Sequence, residues 1–214
     1  MNLANKLTLA RVFMVPVFAC FLFLNNLFGN YCSLLIFILA AITDWYDGKL
    51  ARDRNMVSTL GKFADPLADK MIVSAAFISF IGIPALHIPA WIVILIICRE
   101  FAVTGLRLVA VSEGIVIHAS EGGKIKTVFQ MGTIITILLL LCLKGYIGYM
   151  PDFLKLIMEW LPLSLMLLVA ALTTVTGIEY LIKHKGILDE KGEKGIRRDF
   201  FTQSTQRGRR IRKD

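Results

Sequence analysis

Val12-Phe-Met-Val-Pro-Val-Phe-Ala-Cys20-Phe-Leu-Phe-Leu-Asn25-Asn26-Leu-Phe-Gly29-Asn30-Tyr-Cys32-Ser-Leu-Leu-Ile-Phe-Ile-Leu-Ala-Ala-Ile42 runs for 31 residues without an Asp, Glu, Lys or Arg. Roughly 20 apolar residues span the hydrocarbon core of a bilayer, so this run reads as parts of two spans joined by a turn at Asn25, Asn26, Gly29 and Asn30. The 28 residues from Met71 to Cys98 are equally free of charge and are broken by Gly82, Pro84 and Pro89. Thr127–Leu143 and Trp160–Ile178 add charge-free runs of 17 and 19 residues. The expected fold is therefore all-α and integral to a membrane. Six transmembrane helices are placed near residues 7–28, 31–53, 60–82, 89–111, 124–147 and 154–184.

Composition agrees. Of 214 residues 56% are hydrophobic and only 19% charged, and the mean hydropathy is +0.67, which excludes an ordinary soluble domain. Lys6 before an apolar stretch has the look of a secretion signal, but Arg11 lies inside the pattern and no Ala-x-Ala site follows, so the first helix is expected to be retained. The loops near 29–30, 83–88 and 148–153 carry no basic residue; of the 24 basic residues only Lys144 and Lys155 sit beside the last of these loops. By the positive-inside rule both termini face the cytoplasm. Residues 1–184 read as one membrane domain and 185–214 as a basic, partly disordered tail. From Lys183 onward there are 11 basic and 5 acidic residues, a net +6 of the chain's +8. A tail tethered below a bilayer meets anionic lipid headgroups, and no nucleic acid is expected as partner. Cys20, Cys32, Cys98 and Cys142 are scattered through apolar helices, and His87, His118 and His184 lie far apart, so neither a disulfide framework nor a Cys/His metal site is indicated.

The chemistry-bearing stretch is Asp44-Trp-Tyr-Asp47-Gly48-Lys-Leu-Ala51-Arg52, followed after eight residues by Gly61-Lys-Phe-Ala-Asp65-Pro-Leu-Ala-Asp69. On a helix, positions 44, 47, 48, 51 and 52 share one face, as do 61, 65 and 69. The short connection makes the two helices antiparallel neighbours and brings four carboxylates together at the cytoplasmic boundary. Such a cluster repels itself unless neutralised, and a hard divalent cation with oxygen ligands is the natural neutraliser. Mg²⁺ or Mn²⁺, with two ions per site, is the expected cofactor, held in a polar, metal-containing chamber open to the cytoplasmic side. The competing reading pairs these aspartates with Arg52, Arg54, Lys62 and Lys70. Gly48, Ala51 and Gly61 serve either close helix packing or a flat ligand pressed to the backbone.

The pattern Asp-x2-Asp-Gly-x2-Ala-Arg-x8-Gly-x3-Asp-x3-Asp at 44–69 resembles the signature of the CDP-alcohol phosphotransferases, in all eight fixed positions. The resemblance implies that a CDP-linked lipid gives its phosphoryl group to an alcohol and that CMP leaves. It implies that Asp44, Asp47, Asp65 and Asp69 surround two metal ions, with Asp69 the catalytic base. Gly48, Ala51 and Gly61 would line the nucleotide, with Arg52 and Ser58 near the cytidine or phosphates of CDP-diacylglycerol. Asn5-Lys-Leu-Thr8-Leu-Ala-Arg11 is similar to the family's opening Asn-x-Leu-Thr-x-x-Arg, which would bring Asn5 and Thr8 to the same nucleotide; a helix cap followed by a snorkelling Arg11 is the alternative. A homodimer in the bacterial cytoplasmic membrane is expected on the same ground.

The acceptor is read from a second set of cations. Arg99 falls about ten residues into the fourth helix, roughly 15 Å from its outer end, an expensive depth for Arg. Arg107 follows two turns later, and Lys124 and Lys126 open the fifth helix. Four cations could build an anionic subsite for an acceptor that carries phosphate. Alternatively, Arg99 pairs with Glu100 and the two lysines mark the inner boundary. Ile97–Arg107 and Gly123–Met131 resemble stretches of the bacterial phosphatidylglycerophosphate synthases within that family, which implies sn-glycerol 3-phosphate as acceptor. A cardiolipin synthase or a phosphatidylinositol phosphate synthase of the same family is the nearest rival. A cation-coupled transporter is a remoter one, disfavoured because no matching acidic site occurs in the later helices. An aromatic prenyltransferase would not need the glycine and alanine spacing.

Overall fold

A computed structural model describes the backbone of residues 3–54, 59–112, 121–149 and 151–183, and side chains within 9–43, 70–110, 122–123, 125–146 and 151–182. The expected cytoplasmic tail, 185–214, lies outside the described residues. Six α-helices follow one another: α1 Leu3–Phe23, α2 Leu27–Arg54, α3 Thr59–Ile81, α4 Ala90–Ser112, α5 Glu121–Leu143 and α6 Asp152–Lys183. Short 3₁₀ turns at Pro84–Leu86 and Lys144–Tyr149 join α3 to α4 and α5 to α6. Among the described residues there is no β-strand.

The first turn comes earlier than the apolar pattern suggests. Asn25 takes a left-handed conformation (φ 47°), which Asn tolerates better than most residues. Asn26 then caps α2, its Oδ1 accepting the Gly29 N–H at 2.7 Å. Leu27 and Phe28 therefore belong to α2, and Gly29 and Asn30 lie inside it rather than in the break. Gly29 is required there, because a Cβ would stand 2.3 Å from the Phe21 carbonyl oxygen of α1. One residue on, Asn30 Nδ2 donates to the Leu141 carbonyl near the end of α5 at 3.0 Å, satisfying an oxygen that the helix terminus leaves orphaned.

α1 packs on both α2 and α3, which also touch each other. The connection between α2 and α3, and the side chains of the helix ends that flank it, where the two were expected to meet, lie outside the described residues. α5 packs on α2 and α6, and α6 also lies along α4. Phe18, Phe37, Phe77, Phe80, Ile92, Ile96, Ile134 and Met166 fill the centre, with the Phe18 and Phe37 rings 6.0 Å apart.

The outside of the bundle is apolar and part of its inside is charged. Val128 and Ile182 are each 71% exposed, whereas Glu100 and Lys126 are each 4% exposed. Water would reverse that distribution; hydrocarbon favours it. Ile125–Tyr146 and Asp152–Ile182 are long and apolar enough to cross a membrane, and Leu9–Phe23, Leu27–Thr43 and Lys70–Ile81 are shorter apolar helical segments.

Candidate active site

The backbone places the expected carboxylates on two helix ends. Asp44 and Asp47 lie in the last three turns of α2, with Gly48, Ala51 and Arg52, while Gly61, Asp65 and Asp69 lie in the first half of α3. Helical backbone at all these positions preserves the shared faces that the spacing requires. Their side chains lie outside the described residues, as do those of Asn5 and Thr8 in α1 and Lys124 in α5; Ser58 lies outside altogether. Among the described residues no group of three or more His, Cys, Asp or Glu could hold a metal. The donor set that could is the four aspartates, whose hard oxygens at helical spacing suit a hard divalent cation.

Beside that end of α3 stands a charged cluster whose geometry is explicit. Glu100 on α4 is 4% exposed, and its carboxylate collects donors from three helices. Oε2 pairs with Lys70 Nζ of α3 at 3.2 Å. Oε1 accepts from Arg99 Nη1 at 3.0 Å, from Gln130 Nε2 at 3.4 Å and from Lys126 Nζ. Among the described residues three cations surround this one carboxylate, inside a bundle whose outer surface is apolar. An isolated excess charge is costly in such surroundings and marks a place where an anion is welcome.

Arg99 is held from α6 as well. Its Nη2 donates to Thr176 Oγ1 at 2.8 Å, and the Thr176 methyl lies close to the backbone at Gly122 of α5. The Arg99–Glu100 pair, one of the two readings available for Arg99, is present; Arg99 and Lys126, both expected at the acceptor, share this carboxylate. Arg107 stands apart, its guanidinium carbon 5.9 Å from the centre of the Tyr180 ring.

Sequence spacing does not bring Lys70, Glu100, Gln130 and Thr176 into one cluster with Arg99 and Lys126. Lys70 follows Asp69 directly, and in sequence it reads as a counter-ion to the neighbouring aspartates. No spacing rule ties it to a residue 30 positions away. At the opposite end of the bundle, a cavity of about 300 Å³ is lined by Leu86, His87, Leu141, Lys144 and Met158 among others, away from the helix ends that carry the aspartates.

Comparison with known proteins points the same way. The chain is 44% identical over 150 residues to the CDP-diacylglycerol–glycerol-3-phosphate 3-phosphatidyltransferase of Bacillus subtilis, covering 64% of this chain and 77% of that one. A relative of the same name from Rickettsia typhi is 36% identical over 180 residues, 84% of this chain and 94% of its own. A probable phosphatidylglycerophosphate synthase of Mycobacterium tuberculosis is 45% identical over 136 residues, 60% of this chain and 62% of its own. The sequence profile of the CDP-alcohol phosphatidyltransferases matches residues 1–175, a span that holds the whole aspartate motif and the Glu100 cluster except Thr176. With four fifths of its length matched and its motif intact, the chain belongs to the CDP-alcohol phosphatidyltransferase family.

Proposed function

We propose that this chain transfers the phosphatidyl group of CDP-diacylglycerol to sn-glycerol 3-phosphate, giving phosphatidylglycerol phosphate and CMP. The observation that carries the acceptor is the charge of the Glu100 cluster. Among the described residues Lys70, Arg99 and Lys126 face one carboxylate, a balance of +2 that the dianionic phosphate of glycerol 3-phosphate would neutralise. The relatives from Bacillus and Rickettsia carry the name of that reaction.

In this reading Lys70, Arg99 and Lys126 take the acceptor's phosphate, and Glu100 keeps the three cations together when the phosphate is absent. Lys70 is the next residue of α3 after Asp69, which brings an acceptor held there, and its free hydroxyl, to the level of Asp69 along the helix. Asp69 removes the proton as that hydroxyl attacks the phosphorus bearing the diacylglycerol, and the bond to CMP breaks. Asp44, Asp47, Asp65 and Asp69 would hold two Mg²⁺ or Mn²⁺ ions, which supply neutralisation of the diphosphate and of charge on the leaving CMP. Gly48, Ala51 and Gly61 leave room for the nucleotide, with Asn5, Thr8, Arg52 and Ser58 around it. Arg107 and Lys124 add positive potential on the acceptor's path.

The membrane arrangement belongs to the same reading. Six spans put both termini and the site on the cytoplasmic side of a bacterial membrane, where cytidine and glycerol 3-phosphate are soluble and the acyl chains stay in lipid. The chain works as a homodimer, and its basic tail rests on anionic lipid.

The test is CMP release by the purified protein in detergent with CDP-diacylglycerol. Release that requires both glycerol 3-phosphate and Mg²⁺ or Mn²⁺ is the expected result. Release only with phosphatidylglycerol or inositol phosphate would replace the acceptor; none with any alcohol would refute the transferase reading.

A further inference from the structure

We infer that the Thr176–Gly177 step of α6 is a positioning element that sets the enzyme's preference for a phosphorylated acceptor by fixing Arg99. The inference rests on the acceptor subsite proposed above. It concerns residues that lie just past the 1–175 stretch matched by the family.

Three observations converge on this step. A Cβ at position 177 would stand 2.8 Å from both Cγ and Nε of Arg99 and 3.3 Å from its Cδ. Arg99 therefore lies flat on the α6 backbone, in a place that only glycine leaves free. The next observation is the Thr176 hydroxyl, which has one proton and gives it to its own helix, with the Leu172 carbonyl at 2.7 Å and that of Thr173 at 3.2 Å. Its lone pair is left to accept from Arg99 Nη2 at 2.8 Å. A hydroxyl committed in this way is an acceptor of fixed direction. The third is Glu100, which takes the other terminal nitrogen, Nη1, at 3.0 Å.

The guanidinium is thus gripped on two edges from two helices, while its buried Nε has no hydrogen-bond partner among the described residues. A buried donor left over is unfavourable unless geometry imposes it. Here the Gly177 backbone lies over that nitrogen. The cost is accepted where the orientation of the other two nitrogens matters. A planar fork held in one plane discriminates a phosphate from a hydroxyl better than a mobile point charge does.

Substitution at 177 displaces a side chain rather than a backbone, because the three atoms nearest to a Cβ there all belong to Arg99. Gly177→Ala is expected to leave the bundle folded and move the guanidinium. The experiment measures CMP release from the full-length enzyme in detergent, with acceptor and donor varied separately. Gly177→Ala is expected to raise the KM for glycerol 3-phosphate by about tenfold or more and the KM for CDP-diacylglycerol by less than about twofold. Thr176→Val, which keeps the volume and removes the oxygen, is expected to raise the acceptor KM about fivefold, and Thr176→Ser to restore it.

Equal rises in both KM values would overturn the inference, because they would make the step structural. Thr176→Val behaving as the unaltered enzyme would overturn it too, and remains decisive if Gly177→Ala fails to fold. Glycerol 3-phosphate dependence of the unaltered enzyme is scored separately, so losing the acceptor assignment and losing the positioning role give different results.

Discussion

Phe77 on α3 and Glu100 on α4 are almost equally hidden, at 0% and 4% exposure, yet they are buried for opposite reasons. Phe77 sits among Phe18, Phe80, Ile92, Ile134 and other apolar side chains, where volume decides and any good fit serves. Glu100 sits among Lys70, Arg99, Lys126 and Gln130, where each partner is specified by charge and direction. The apolar region is complete in itself. Among the described residues the charged one sets three cations against a single carboxylate. One region therefore holds the helices in place, and the other, in the function proposed above, receives the acceptor's phosphate.

Substitutions can break that division. The largest effect is expected from Asp69→Asn, which should lower turnover by about 10³-fold or more in the CMP-release assay while direct binding of glycerol 3-phosphate persists. Loss of acceptor binding as well would place Asp69 within the cluster rather than beside it. Phe77→Ala is expected to cost about 3 kcal/mol of stability by leaving a cavity, read as a lower thermal midpoint in detergent, with the ratio of the two KM values unchanged. A shift in that ratio would mean that the apolar half tunes the site. Lys126→Met keeps most of the stem and removes one of the three cations, so the KM for glycerol 3-phosphate is expected to rise about tenfold with little change for CDP-diacylglycerol. The smallest effect belongs to Asn26→Ala at the opposite end of the bundle, about 1 kcal/mol of stability from the lost cap and no kinetic change.

Much of the fold is legible in the sequence because charge-free runs set helix count and length. The ends of α1 and α2 are not, because Leu27 and Phe28 continue the apolar run across a turn made by two asparagines. Pattern shows where apolar residues are, but not that Asn26 spends its side chain on the Gly29 amide. The aspartate motif is legible for a different reason: its chemistry needs fixed helical spacing within 26 residues. The Glu100 cluster draws on α3, α4, α5 and α6, and its members are related by packing rather than by interval. Arg99 and Lys126 stand out as charges in apolar surroundings. Thr176 and Gly177 are small residues that would pass in any membrane helix, and only the distance to Arg99 gives them meaning.

The contacts of α1 with both α2 and α3 have a consequence for biogenesis. As the ribosome delivers the chain, α1 and α2 can pair as soon as both have left the translocon, and α3 then settles against a surface that α1 already presents. The two halves of the aspartate motif, adjacent in the gene, are thus mounted on a common support that is synthesised before either of them. Early insertion of the amino-terminal helix is in this sense a templating event, and a lesion on the face of α1 that packs against α2 and α3 would reach the helices of the aspartate motif without touching an aspartate.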